Sequence, residues 1–314
     1  MKKPLVSVIT VNYKQTKVTL ELLKSLSLLN YPAIETIVVD NGSEDDSIFT
    51  IKKEFPAVCL ITSKKNLGFA GGNNLGIQQA QGQYFLFINN DTEVAEGFIE
   101  SMLAAFEQNP QVGVVSPKII LQHPANTIQY AGAIAINPYT GRGKKLGNLE
   151  RDLGQYDFIK ETALAHGAAM MVRRAVVEAV GLMPELYFLY YEEHDWCEQI
   201  KRKGYKILYN GYAHILHKES ISVGKNNPLK TYYMHRNRII YCRRNSKNSF
   251  VLFVALLFYF VFALPKTVLS FLLKGKLNFA WALLKGAWSG LLHSKVQKEY
   301  LYTSQQRISF PVSA

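Results

Sequence analysis

Residues 5–11 form a β-branched apolar run of the kind that makes a strand buried on both faces. Residues 17–29 then place Val18, Leu22, Leu23, Leu26 and Leu29 on one helical stripe. The alternation continues, with strands expected over 35–40, 58–62 and 84–88 and helices over 45–55 and 69–80. Strands separated by helices of this length predict a mostly parallel sheet with right-handed crossovers. Ligands of such sheets sit beyond the carboxyl ends of the strands. Polar residues gather there: Asn12-Tyr13, Asp40-Asn41, Asn66 and Asn89-Asn90-Asp91. Residues 111–161 are less regular, with Pro117, Pro124 and Pro138, and predict strands and long loops with a substrate lid around 140–147. A small-residue strand over 165–173 follows, then an acidic cluster opening a helix within 187–204. Two strands, 205–210 and 213–217, complete this part.

Past Pro228 the pattern changes. Residues 250–264 are 15 consecutive apolar residues, followed by Pro265, Lys266 and a further apolar run to 273. Fifteen helical residues span about 22 Å, short of the ~30 Å hydrocarbon core of a bilayer. The whole stretch would reach, with Pro265 and Lys266 inside it. A second apolar segment, 277–292, carries Phe279, Trp281, Trp288 and a central Lys285. Arg236, Arg238, Arg243, Arg244, Lys247, Lys274 and Lys276 flank these segments. Basic clusters beside apolar helices with tryptophan fit the surface of an anionic membrane. A buried helical hairpin or an oligomer interface is the competing reading. Two regions are therefore expected, 1–227 and 228–314.

Charge sharpens that division. The 314-residue chain has a net charge of +12, but residues 1–200 carry −5 and residues 201–314 carry +17. A uniformly basic nucleic-acid binder is not built this way, so no nucleic acid is expected as a partner. At 48% hydrophobic residues a disordered chain is excluded. Three scattered cysteines make neither a disulfide framework nor a zinc site. The polar residues Ser7, Thr10 and Asn12 interrupt the first apolar run, which is not read as a signal peptide. The cytoplasmic face of a membrane is the expected location, held peripherally or by the C-terminal region.

Several clusters can carry chemistry. Asp40, at a strand end before Asn41-Gly42-Ser43, can accept from a pyrimidine ring N–H, although many parallel strands end in Asp-x-Gly for turn reasons. The stretch from Asn66 to Asn74 is a glycine-rich helix entry. It suits either a phosphate on backbone N–H groups or close packing of helix on sheet. Asn89 and Asp91 sit at i and i+2 of an extended end, so two oxygen ligands point one way. With diphosphate oxygens they suit Mg²⁺ or Mn²⁺. Glu192, Glu193 and Asp195 open a helix, where a carboxylate near others gains proton affinity and can serve as a general base. His217 is read equally as a metal ligand or as a loop histidine.

The segments VSVITVNYK, IVVDNGSEDDS, NLGFAGGNNLGI, FLFINNDTEV, HGAAMMVRR and FLYYEEHDWCEQIKRKGY occur in one order at ordinary spacings. As a set they resemble the family 2 glycosyltransferases of GT-A fold, in their bacterial rhamnosyltransferase-like branch, over about residues 4–245. The resemblance implies an α/β fold and inverting, metal-dependent transfer from a nucleotide-diphosphate sugar, dTDP-, UDP- or GDP-linked. It matches Val11, Asn12, Tyr13 and Asp40 to nucleoside binding. It places Asn66, Gly68, Asn73, Asn89 and Asn90 near the donor, and Asp91 in the metal motif, here N-x-D. Glu193 falls on the Asp of a Glu-Asp pair, the usual base, with Asp195 as a rival, and His217 on a metal-binding histidine of some members. The C-terminal third suits a saccharide acceptor linked to lipid. Two other readings stay open: an impaired member acting as a membrane scaffold in polysaccharide assembly, and a sugar-1-phosphate nucleotidyltransferase. The latter lacks its expected basic, glycine-rich loop, since Asn12-Tyr13-Lys14-Gln15 stands there.

Overall fold

The computed structural model describes residues 3–218 and 227–293. Strands and helices first alternate: β1 (Val6–Asn12), α1 (Thr16–Ser27), β2 (Ile34–Asp40), α2 (Ser47–Glu54), β3 (Cys59–Thr62), α3 (Gly68–Gln79) and β4 (Tyr84–Ile88). There follow β5 (Thr92–Val94), α4 (Phe98–Glu107), β6 (Val112–Leu121), β7 (Thr127–Tyr130), β8 (Ala133–Asn137), β9 (Arg142–Lys145) and β10 (Ile159–Glu161). Then come β11 (Ala169–Arg173), α5 (Arg174–Val180), α6 (Glu192–Arg202) and β12 (Lys206–His217). The C-terminal part holds α7 (Pro228–Asn245), α8 (Ser249–Phe258), α9 (Leu264–Leu273) and α10 (Leu277–Leu292).

The main sheet runs β10-β12-β6-β11-β4-β1-β2-β3, with β5 beside β12 and β7 beside β6. β3, β2, β1 and β4 are parallel, and β6 and β12 are parallel to each other. β11 runs antiparallel between β4 and β6 and joins the two halves. Side chains alternate across the sheet. Val8 and Leu86 face a core with Leu22, Met102 and Phe106 of α1 and α4. Ile9, Phe85 and Phe87 face the other, with Ile77, Val176 and Trp196 of α3, α5 and α6. The strand ends therefore emerge between two fixed helical layers.

Three expectations change in detail. Residues 206–217 form one strand, not two; its register against β6 breaks between Asn210 and His214. Pro117 of β6 stands opposite that break, where its missing N–H leaves no ladder bond unmade. The irregular stretch before residue 161 supplies a fully buried ten-residue strand, β6. The lid around 140–147 takes shape as the β8–β9 hairpin, turned by Gly141 N–H on the Asn137 carbonyl at 2.8 Å.

α8, a π turn over Tyr259–Ala263 and α9 run as one helix from Ser249 to Leu273. A helical proline clashes with the carbonyl four residues back. For Pro265 that is Val261, inside the π turn, so the irregularity absorbs the clash. One face of this helix buries Val251, Ala255, Tyr259 and Ala263, while Phe250, Phe253, Leu257, Val261 and Phe262 are exposed. α10 lies against α7 through Ala280, Leu283 and Ala287 and exposes Leu277, Trp281, Trp288 and Leu292.

Candidate active site

At the ends of β1, β2 and β4 a buried network fixes the loops. Asn12 Nδ2 donates to Asp40 Oδ1 at 2.9 Å, and Thr19 Oγ1 donates to Asn12 Oδ1 at 2.9 Å. Asn90 Nδ2 donates to Thr19 Oγ1 at 2.9 Å, and Ser43 N–H to Asp40 Oδ2 at 3.2 Å. The side chains of Asn12 and Asn90 are thus turned inward and hold Asp40 in place. Val11 packs beneath Gly72 of α3, and half-buried Tyr13 lies at the rim with the Lys14 ammonium 5.5 Å from its ring centre.

The glycine-rich entry to α3 is packed against protein. A Cβ at Gly76 would lie 2.4 Å from Ile9 Cγ2 and one at Gly72 2.9 Å from Val11, so these positions let the helix touch β1. Gly68 has φ +74°, and a Cβ there would meet the Phe188 carbonyl oxygen at 2.1 Å. Leu67 N–H donates to Asn41 Oδ1, Gly68 N–H to Asn66 Oδ1 and Phe69 N–H to the Phe188 carbonyl, at 3.0, 2.8 and 2.9 Å. Asn73 Nδ2 returns to the Phe69 carbonyl at 2.9 Å. Of the two readings of this stretch, the close helix–sheet contact is the one the packing realises.

Asp91 and His217 meet at the seam of β5 and β12. Asp91 Oδ1 is 3.2 Å from His217 Nε2, and both side chains are over nine-tenths buried. His217 Nδ1 is 2.6 Å from Gln129 Oε1. An amide oxygen only accepts, so Nδ1 carries a proton, and in the neutral ring the Nε2 lone pair is the one turned toward the carboxylate. Nε2 makes no hydrogen bond despite its burial. Two lone-pair donors facing one another, with a partner fixing the tautomer, suit a divalent cation. Among the described residues no third His, Cys, Asp or Glu joins them, so further ligands would be water and substrate oxygens. Half-buried Asn89 is anchored by its backbone N–H on the Ala168 carbonyl at 2.9 Å.

The segment leading into α6 is strained. Phe188, Tyr190 and Tyr191 have φ of +66°, +68° and +79°, at roughly 1–3 kcal/mol each. α7 holds them: Asn237, fully buried, donates to the carbonyls of Tyr187, Leu189 and Tyr190 at 2.7–3.0 Å. The turn delivers Glu193, whose Oε1 lies 3.3 Å from His194 Nδ1 and whose Oε2 is buried with no hydrogen-bond partner. Gly167 faces this carboxylate, its absent Cβ position 3.6 Å from Oε1, leaving room beside it. Burial raises the proton affinity of Glu193, but the charge and proximity of His194 outweigh it and hold the carboxyl below its usual range. Burial, then the Glu193 charge, pushes Glu192 well above that range. One acid of the pair is kept neutral while its neighbour ionises, so the gain in proton affinity expected of this cluster falls on Glu192 and not on Glu193.

Residues 7–181 match the sequence profile of glycosyl transferase family 2, more than half of the chain. The chain belongs to glycosyl transferase family 2. Low-salt glycan biosynthesis hexosyltransferase Agl10 of Haloferax volcanii is 27% identical over 241 residues, 74% of each chain. N-acetylglucosaminyl-diphospho-decaprenol L-rhamnosyltransferase of Mycobacterium tuberculosis is 24% identical over 264 residues, 74% of this chain and 82% of its own. Among solved structures, residues 1–349 of S. aureus TarS superpose with a TM-score of 0.56 at 18% identity, covering 96% of this chain and 83% of that one. A mannosyltransferase from Pyrobaculum calidifontis, in complex with GDP-Man and Mn²⁺, gives 0.57 at 15%, covering 94% and 89%. These likenesses establish the GT-A fold.

In this glycosyltransferase Asp195 is corrected as a candidate base. It is fully buried; Oδ2 accepts from Arg244 Nε at 2.6 Å and Oδ1 from Asn245 Nδ2 at 2.8 Å. A carboxylate with both oxygens engaged inside the protein cannot reach a substrate hydroxyl. Two residues to which the sequence assigned no role of their own also matter here: Gln129, which bonds His217, and His166, which lies inside a recognised segment. His166 N–H donates to Ser116 Oγ at 3.1 Å, and its ring packs on Tyr130 at 5.3 Å between centroids.

Proposed function

We propose that this enzyme transfers a sugar, with inversion, from a nucleotide-diphosphate donor to a hydroxyl of a lipid-linked saccharide during cell-surface glycan synthesis. The reading is supported by Glu193, whose Oε2 has no hydrogen-bond partner, beside Gly167, and by the Asp91–His217 pair; Asn89, two residues before Asp91, is bonded to Ala168, the residue after Gly167. Asp40, at the end of β2, and Tyr13, just past β1, are the residues read as meeting the nucleoside. Asp91 and His217 would hold Mn²⁺ or Mg²⁺, which supplies positive charge to the donor diphosphate. The Glu193 carboxylate takes the proton of the acceptor hydroxyl. The acceptor oxygen so freed forms a bond to the anomeric carbon as the bond to the diphosphate oxygen breaks, and the leaving group keeps the electron pair.

Residues 1–227 are read as the transferase unit and 228–314 as a membrane-associating extension, of which 294–314 lie outside the described residues. The 25-residue helix Ser249–Leu273 is long and apolar enough to cross a membrane, and 22% of its most apolar stretch is buried against protein. With α10 it presents phenylalanine, leucine and tryptophan outward, with Lys274 and Lys285 exposed beside them. That supports an anionic membrane surface on the cytoplasmic side, where the helices lie along the bilayer. The name of the mycobacterial relative supports a diphospho-polyprenol acceptor.

The test measures nucleotide release from dTDP-, UDP- and GDP-sugars with Mn²⁺ or Mg²⁺, with and without a sugar-diphospho-polyprenol. Acceptor-dependent release that chelation and Glu193→Gln both abolish is expected. Full activity in Glu193→Gln removes the base assignment. A wild-type protein that turns over no donor favours the scaffold instead.

A further inference from the structure

His166 stands at the centre of the site. Its neighbour Gly167 faces Glu193, and the Ala168 carbonyl holds Asn89, two residues before Asp91. Its Nδ1 accepts the Ala168 N–H at 3.1 Å. A backbone N–H is fixed in direction, so Nδ1 is the acceptor and the neutral ring carries its proton on Nε2. Nε2 lies 2.9 Å from Nζ of Lys145, the last residue of β9. An ammonium and an imidazole N–H both donate, so neither can accept from the other. Burial, then the Lys145 charge, lowers the His166 pKa well below its usual value, so the ring stays neutral. Two donors from different elements converge on one point beside the catalytic carboxylate.

The hairpin bringing Lys145 there is held at both ends. At its base Ala131 N–H donates to the Leu146 carbonyl at 3.0 Å, and Leu146 N–H to the Gly132 carbonyl at 2.8 Å. At its tip Arg238 of α7 donates to the Thr140 carbonyl, and the Arg142 guanidinium lies 5.7 Å from the Phe258 ring centre of α8. The backbone at Lys145 is thus held from both ends of the hairpin, and its exposed side chain reaches His166.

We propose that Lys145 and His166 form a phosphate-binding pair that receives a diphosphate oxygen next to Glu193. The proposal rests on the function proposed above, because the anions of that reaction are diphosphates. An oxyanion at this point accepts from both donors and separates them. A charge-assisted bond from an ammonium is of the strength that decides substrate affinity. The diphosphate belongs either to the nucleotide donor or to a lipid-linked acceptor.

Full-length Lys145→Gln, Lys145→Arg and His166→Gln are compared with wild type, with thermal midpoints verifying that each is folded. Three quantities are measured: calorimetric affinity for UDP, dTDP and GDP with Mn²⁺; KM for a sugar-diphospho-polyprenol; and KM for the alkyl glycoside of the same sugar. Lys145→Gln is expected to weaken a diphosphate-bearing ligand by about ten- to a hundredfold, and Lys145→Arg to keep most of the affinity. Loss of nucleotide affinity assigns the pair to the donor. A raised KM for the diphospho-polyprenol alone, with the alkyl glycoside unchanged, assigns it to the acceptor. A folded Lys145→Gln with wild-type values in all three overturns the proposal. Binding of inorganic diphosphate to wild type and Lys145→Gln is read without turnover, so a failure of the transfer reading is seen separately. Equal binding of it by the two proteins also counts against the pair.

Discussion

Asp195→Ala separates a structural carboxylate from the proposed catalytic one two residues away. Asp195 is fully buried and the Arg244 side chain is 1% exposed. Their contact is 2.6 Å, and Asn245 occupies the other carboxylate oxygen. Truncation leaves the guanidinium charge inside the protein without its carboxylate. Breaking a buried pair in this way costs about 3–5 kcal/mol, a large fraction of the roughly 5–15 kcal/mol that holds a domain together. At about 2 °C per kcal/mol for a chain of this size, the thermal midpoint falls by roughly 6–10 °C. A double variant, Asp195→Leu with Arg244→Met, replaces both charges with apolar groups and is expected to recover most of the loss. Calorimetry gives the midpoints, and nucleotide release at a temperature where both proteins are folded gives activity. An Asp195→Ala protein that melts with wild type yet has lost transfer would refute the reasoning and restore Asp195 as the base.

Four further outcomes are expected. His194→Leu removes the group that holds Glu193 below the usual carboxylate range, against its burial. The acid limb of kcat/KM then moves to higher pH, and superimposable pH profiles would count against the pairing. Glu192 has its pKa raised, first by burial and then by Glu193, so above the unfolded value of about 4.3 the native state binds the extra proton and stability falls as pH rises. Glu192→Gln removes that slope, and urea midpoints of mutant and wild type should diverge from mildly acidic pH upward, with parallel curves contradicting the burial argument. Gln129→Leu frees the His217 tautomer and should weaken Mn²⁺ binding by about 10–100-fold in a titration of the metal. Trp281→Ser with Trp288→Ser should reduce flotation with anionic vesicles and leave release from a soluble donor unchanged; undiminished flotation removes α10 from the membrane face.

The parallel half of the sheet was legible because its signals are local. Each apolar run, helical stripe and polar strand end lies within a dozen residues, and β1 to β4 follow them closely. The order of six recognised segments identified the family, since their spacing constrains far more than any one glycine or carboxylate. β11 and β12 were expected as strands, but the antiparallel pairing of the one and the continuity of the other were not legible in that way. Their partners lie far away in sequence, and Pro117, which locally argues against a strand, is accommodated by an irregularity in β12. At the site, Asp91 and His217 were named in advance, but the ranking of Glu193 over Asp195 depended on Arg244, nearly fifty residues on. A charge on the far helix decides which acid is tied up in an ion pair and which keeps an unpartnered oxygen, and nothing in the acidic cluster encodes that choice. The glycines of α3 show the converse: a phosphate loop and a helix pressed on a strand have the same composition.

The clamp of α7 on the turn before α6 also sets an order of assembly. Translation yields the βα units first, and such local units fold as they emerge. The carboxylate of Asp195 and the carbonyls of Tyr187, Leu189 and Tyr190 then await Arg244 and Asn237, which are made later, just ahead of the apolar helices. A nascent chain therefore completes the turn that carries Glu193 only as the segment adjoining its C-terminal apolar helices is made.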